Sequence, residues 1–292
     1  MNTTVHHRTA TIDGLDVFYR EAGDPQSPAV VLLHGFPTSS RMFRNLIPKL
    51  ADGYHVIAPD MIGFGHSAMP RVDEFDYSFD SLTDVTVGLL DHLGVDRFAV
   101  YVQDYGAPVA WRIATRSPRR ISAIITQNGN AYTDGFVKTF WDGLFAYTDH
   151  PTPETEAPVR AALSLEMIRW QYVNGVTDPT VVSPDNWTVD QALLDRPGND
   201  DIQLTLFRDY PTNVTLYPRL QQYFRDSQVP LLAVWGANDE IFGPDGARAF
   251  QRDLPDAEIH LLDTGHFALE SHLEEITGHI RDFLTRVTRV TR

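Results

Sequence analysis

Ala29-Val-Val-Leu-Leu, His55-Val-Ile-Ala, Phe98-Ala-Val-Tyr-Val and Ile121-Ser-Ala-Ile-Ile-Thr are short apolar runs, and segments of helical period separate them at 39–50, 79–93 and from about 105 onward. Strand, helix, strand in this rhythm predicts an α/β fold with a mostly parallel sheet flanked by helices, because each crossover helix packs back onto a face of the sheet. Residues 8–12 and 17–20 flank Asp13-Gly14, which predicts an antiparallel hairpin at the sheet edge. The rhythm lapses over 132–225, a block rich in aromatics, Pro and Asp, with helical stretches at 159–173 and 190–194 and no strand run. It resumes with Val229-Pro-Leu-Leu-Ala-Val-Trp, a helix near 244–254, Glu258-Ile-His-Leu-Leu and an amphipathic helix over 268–287. The expected organisation is a core of 1–131 and 226–292 carrying an inserted helical cap, 132–225.

Composition removes several classes of function. The 292 residues carry 24 Lys and Arg against 39 Asp and Glu, a formal charge of -15, with no basic run to track a phosphate backbone; nucleic acid is not an expected partner. The absence of cysteine excludes disulfides, thiolate metal ligands and cysteine nucleophiles. No stretch reaches the roughly 18 apolar residues of a membrane span. The polar start, with His6, His7 and Arg8, lacks a leader pattern, so a soluble, cytoplasmic protein is the expectation. A homo-oligomer is compatible with the sequence, which does not fix the oligomeric state.

In an open parallel sheet, ligand sites lie outside the carboxyl ends of the strands. Four polar signals fall there: His34-Gly-Phe-Pro37, Asp104, Asp239 and His266. Asp104 stands where an apolar strand bends into a helix. As a helix cap it would be unremarked, since Asp is favoured at that position. As a nucleophile it would attack a saturated carbon and leave an ester, where a serine would attack an acyl carbon. Asp245 and Asp263 compete with Asp239 as partner to His266, while the position after the sixth main strand reads Gln127-Asn128-Gly-Asn130 and offers no carboxylate.

The order Asp104, Asp239, His266, with His34-Gly-Phe-Pro, Asp60-Met-Ile-Gly-Phe-Gly-His-Ser, Gln103-Asp104-Tyr-Gly and Asp263-Thr-Gly-His266-Phe, resembles the α/β-hydrolase family over nearly the whole chain. The carboxylate at the bend resembles its epoxide hydrolase branch and, less closely, its haloalkane dehalogenase branch. That resemblance implies Asp104 as nucleophile, His266 as base for the water that hydrolyses the ester, and Asp239 as orienter of the imidazole. It also implies an oxyanion hole from the backbone N–H groups of Phe36 and Tyr105, with His34, Gly35 and Pro37 shaping the loop. Neither metal nor organic cofactor is implied.

Leaving-group chemistry separates the branches. The dehalogenases solvate a halide with a Trp after the nucleophile and a second donor; Tyr105 and Phe36 stand at these positions, leaving Trp141, Trp170 and Trp187 as donors in the cap. Epoxide hydrolases donate a proton from cap tyrosines, and this block contains Tyr132, Tyr147, Tyr172, Tyr210, Tyr217 and Tyr223. Tyr217, Tyr132, Trp141 and Tyr172 are the acid or substrate-binding candidates. The expected substrate is a small apolar organic molecule, with water as co-substrate. Epoxide opening is favoured, dehalogenation is the alternative, and a non-catalytic binder of small molecules stays open.

Overall fold

The computed structural model describes residues 3–290, so residues 1–2 and 291–292 of the expected core lie outside the described residues. Eight strands form one sheet: β1 (His6–Ile12), β2 (Leu15–Ala22), β3 (Ala29–Leu33), β4 (His55–Pro59), β5 (Phe98–Gln103), β6 (Ile121–Gln127), β7 (Leu231–Gly236) and β8 (Glu258–Leu262). Their order across the sheet is β1-β2-β4-β3-β5-β6-β7-β8. β1 and β2 form the expected hairpin, turning on Asp13 and Gly14, both at positive φ, and β2 pairs antiparallel with β4. The remaining pairs are parallel. β4, β5 and β7 are buried at every residue, which explains their uninterrupted apolar runs: helices cover both faces and leave no solvent side to alternate with.

After β3 the chain crosses to β4 on one side, then returns to place β5 on the other side of β3. The carboxyl ends of β3 and β5 therefore flank the switch point where an open sheet leaves a crevice.

Helix α1 (Ile47–Leu50) is all that remains α-helical of the pattern expected over 39–50, beside a 3-10 turn, Ser40–Phe43, capped by Ser39. Pro48, which lacks an N–H, fits only at the start of a helix and so divides the segment. α2 (Phe79–His92) and α3 (Gly106–Arg116) are the crossover helices on either side of β5.

Between β6 and β7 the described residues form no strand and six α-helices: α4 (Lys138–Asp149), α5 (Pro153–Ala161), α6 (Leu165–Val173), α7 (Asp185–Leu194), α8 (Asn199–Asp209) and α9 (Pro211–Ser227). The single helix expected over 159–173 is interrupted because the Ser164 hydroxyl accepts from the Met167 N–H and starts α6 afresh. Arg112, buried in α3, binds Asn213 and Thr212 of α9 at 2.6 and 2.8 Å and fastens the end of this insertion to the sheet layer. α10 (Pro244–Ala249) gives way to a 3-10 turn earlier than expected, and α11 (Leu273–Val290) begins behind another, Ala268–Glu270. Ile276, Ile280, Phe283 and Leu284 of α11 recur on one face and are buried. Among the described residues no helix is long and apolar enough to cross a membrane.

Candidate active site

Asp104 occupies the bend between β5 and α3 with φ at 47°, a left-handed conformation that costs an L-residue energy and is retained where the surroundings hold it. It is not the helix cap: Tyr105 takes that place, and the Asp104 carboxylate turns instead toward the loop after β3, where the Phe36 N–H donates to its Oδ1 at 2.8 Å. Two glycines permit this approach. A Cβ on Gly106 would fall 2.1 Å from the Leu33 carbonyl, and one on Gly35 would fall 2.3 Å from the Asp104 Cβ. Burial raises the Asp104 pKa above the ordinary carboxylate value, while the charge of His266 and the N–H groups of Phe36 and Tyr105 oppose that rise.

The loops after β7 and β8 meet through backbone bonds, Ala237 N–H to Leu262 and Asn238 N–H to Thr264, at 2.8 and 3.0 Å. This contact brings His266 Nδ1 to 2.8 Å from Asp239 Oδ2. Asp239 is further held by the Ile241 N–H on Oδ1 and the Asn128 amide on Oδ2, both at 2.7 Å. The competing carboxylates lie elsewhere, Asp263 with Asn238 and Thr177, Asp245 with Arg248. Burial works to lower the His266 pKa, but the charge and hydrogen bond of Asp239, with Asp104 behind them, raise it overall. The other nitrogen, Nε2, is 2.7 Å from the Gln103 amide nitrogen.

A cavity of about 290 Å³ opens above Asp104. Its wall is largely apolar, with Phe36, Trp141, Leu144, Val159, Met167, Phe207 and Ile241; Tyr105, Thr139 and Gln171 add polar groups. The insertion thus supplies most of the chamber and the loops of the sheet supply its floor. Trp141 presents its ring, because its indole N–H is already donated to the Ile241 carbonyl at 2.8 Å. The Tyr105 hydroxyl is buried without a hydrogen-bond partner.

The other sequence candidates fall away from this wall. Tyr132 donates to Asp253 at 2.9 Å, and Tyr172 donates to Asp190 at 2.5 Å while its ring stacks on Phe267. Tyr217 lies 3.4 Å from the Asn130 amide and hydrogen-bonds Tyr210. Tyr210, only one of six tyrosines in the 132–225 block as the sequence reads, has its ring 4.5 Å from Trp141 and 6.2 Å from Tyr105. Burial raises its pKa far above the ordinary phenol value, and Tyr217 and the Asp104 charge add to the effect. The Tyr210-Pro211 junction between α8 and α9 was the available signal. His34 ties its loop to the chain after β4, with Nδ1 at 3.0 Å from the Gly35 carbonyl and Nε2 accepting the Met61 N–H at 3.0 Å. Pro37 follows a cis peptide bond.

A family model described as the alpha/beta hydrolase fold matches residues 28–273. An uncharacterised hydrolase of Saccharomyces cerevisiae is 45% identical over 284 residues, covering 94% of this chain and 95% of that one. A haloalkane dehalogenase of Mycolicibacterium paratuberculosis is 40% identical over 116 residues, 39% of this chain and 38% of its own. Epoxide hydrolase A of Mycobacterium tuberculosis is 41% identical over 118 residues, 40% of this chain and 36% of its own. The last two matches differ by two residues in length and one percentage point in identity and do not separate the two chemistries.

Proposed function

The chain belongs to the α/β-hydrolase fold family, related to epoxide hydrolases and haloalkane dehalogenases, and on that premise we propose that it opens an epoxide to a diol through an ester on Asp104. The observation that carries the reading is the Asp104 carboxylate itself. It is buried at the floor of an apolar cavity, has no salt-bridge partner among the described residues, and is held through Oδ1 by the Phe36 N–H. The other oxygen attacks the epoxide carbon; the carbon–oxygen bond breaks and the departing oxygen takes a proton from Tyr210, with Tyr217 as partner to the phenol. Burial keeps Tyr210 protonated at neutral pH, as an acid requires.

In the second step His266 takes a proton from water, and the water oxygen bonds to Cγ of Asp104. The oxyanion forms where the Phe36 and Tyr105 N–H groups point, a geometry in which one donor is worth about 3 kcal/mol of barrier. The imidazolium, oriented by Asp239, returns its proton to the leaving alkoxide, and the remaining water proton restores the phenol. The 132–225 block acts as the cap that excludes bulk water and shapes the chamber for a small apolar substrate.

One observation favours dehalogenation as a second reading: the unpaired Tyr105 hydroxyl in the cavity wall is a donor for a departing halide. Against it, the Trp141 N–H is spent on Ile241. Intact-mass measurement of His266→Gln incubated with a panel of epoxides and haloalkanes tests both. An adduct with epoxides that disappears on adding Asp104→Asn is expected; adducts with haloalkanes alone favour the second reading. No adduct with any compound leaves a non-catalytic binder.

A further inference from the structure

Gln103 ends β5, directly before Asp104, and is fully buried. Its Nε2 lies 2.7 Å from His266 Nε2, while its Oε1 has no hydrogen-bond partner and faces Gly35, where a Cβ would come within 2.5 Å of it. His266 Nδ1 is committed to Asp239. With the proton on Nδ1, Nε2 presents a lone pair, and the Gln103 amide N–H covers it. That lone pair is where a water must place its hydrogen before attacking the neighbouring Asp104 ester.

A water standing there has two hydrogens to place in a buried site. His266 Nε2 takes one. Phe36, the loop residue facing Asp104, has no side-chain acceptor for the other, whereas Gln103 carries an acceptor that nothing uses. Turning the amide about its last bond exchanges nitrogen for oxygen with little change of shape.

We propose that Gln103 positions the hydrolytic water. In the resting enzyme it covers His266 Nε2; once Asp104 is esterified its amide turns aside, and the water donates one hydrogen to Nε2 and the other to Gln103 Oε1. The proton goes to His266 and the water oxygen to Asp104 Cγ, so Gln103 is a positioning residue and exchanges no proton itself. The inference rests on the two-step reading above.

Single-turnover kinetics followed by intact mass, on a substrate that the wild type consumes, tests it. Gln103→Leu is expected to form the ester at nearly the wild-type rate but to hydrolyse it about 100-fold more slowly, the usual cost of a misplaced reactant. Gln103→Glu keeps an acceptor; it should hydrolyse the ester faster than the Leu variant, with the acid limb of that step moved upward by a carboxylate beside the imidazole. Equal loss in both steps means a merely structural role and overturns the proposal, as does wild-type ester decay in Gln103→Leu. Ester accumulating in His266→Gln but not in Gln103→Leu rejects the Gln103 role alone; ester in neither rejects both readings. A substrate-free arm uses 15N-histidine NMR. Loss of the donor in Gln103→Leu should shift the Nε2 resonance of neutral His266, and an unmoved resonance overturns the proposal.

Discussion

Asn128 donates its amide to Asp239 Oδ2 at 2.7 Å, the same oxygen that faces His266 Nδ1 at 2.8 Å. It also accepts the Gly236 N–H at 2.9 Å, so one side chain just past β6 fixes both the end of the strand that leads to Asp239 and the carboxylate itself. Asn128→Ala leaves these buried groups short of partners, a loss of about 1–3 kcal/mol of stability. Urea unfolding should show that loss, and single-turnover kinetics should show slower ester hydrolysis with ester formation preserved. Ester formation falling in parallel would contradict an action through Asp239.

The position of Asn128 shows how far the sequence reaches. Asp104 and Asp239 were legible because each follows a buried parallel strand, which announces itself as an apolar run, and His266 because it follows β8, a shorter and only partly buried run. Asn128 stood in the sequence only as a place without a carboxylate; its bond to Asp239 joins residues 111 positions apart. Gln103 was hidden differently, inside the strand run itself, since no local pattern marks which strand residue faces a histidine. The sequence favours Tyr217 and passes over Tyr210 because their placement depends on how α8 and α9 meet, which no local pattern shows. The broken helices at 39–50 and 159–173 failed on caps and Pro, which act over three or four residues against a longer hydrophobic period.

Gly35→Ala tests the close approach at the elbow. The added methyl would lie 2.3 Å from the Asp104 Cβ and 2.6 Å from its Oδ1, so the loop must retreat and the Phe36 N–H must leave its 2.8 Å bond. Losing one donor of this kind lowers turnover by about 100- to 1,000-fold. Steady-state rates should fall by that order while far-ultraviolet circular dichroism stays native; unchanged turnover would show that Phe36 gives the ester no support.

Tyr210→Phe should slow epoxide opening by roughly 100-fold, the usual worth of a positioned acid. Tyr217→Phe should have a smaller effect, since its hydroxyl acts through the phenol of Tyr210, with the Asn130 amide as its other neighbour. Tyr132→Phe should leave ring opening near the wild-type rate, because its hydroxyl serves Asp253. Pre-steady-state ester formation on a single epoxide ranks all three, and the opposite ranking would move the acid away from Tyr210.

The two half-reactions should differ in pH dependence. Ester formation needs ionised Asp104, whose pKa is raised chiefly by burial, so its rate falls as pH drops through that raised value. Hydrolysis needs neutral His266, whose pKa is raised above the ordinary histidine value chiefly by Asp239, the Asp104 charge being absent once that carboxylate is esterified. Its rate should therefore fall as pH drops through a value above the ordinary histidine one, a limb set by a different group from that of ester formation. Quench-flow with mass detection across pH 5–9 reads both limbs, and coincident limbs would contradict the assignment of base and nucleophile.

Asp190 offers a test that needs no substrate. It is buried in α7, receives the Tyr172 hydroxyl at 2.5 Å, and through the Tyr172–Phe267 stack at 4.0 Å supports the loop bearing His266. Burial, only partly offset by the Tyr172 hydrogen bond and by Arg41, raises its pKa to about 7. The folded chain therefore keeps a proton that the unfolded chain releases near pH ~4. The stability tied to that proton is full below the unfolded value and is lost as pH rises through the folded one, so the wild type weakens between about pH 4 and 7. Asp190→Asn cannot ionise and can still accept from Tyr172. Its Tm relative to wild type should rise from pH 5 to pH 8, as read by thermal unfolding at both; a difference independent of pH would mean that Asp190 does not titrate in this range.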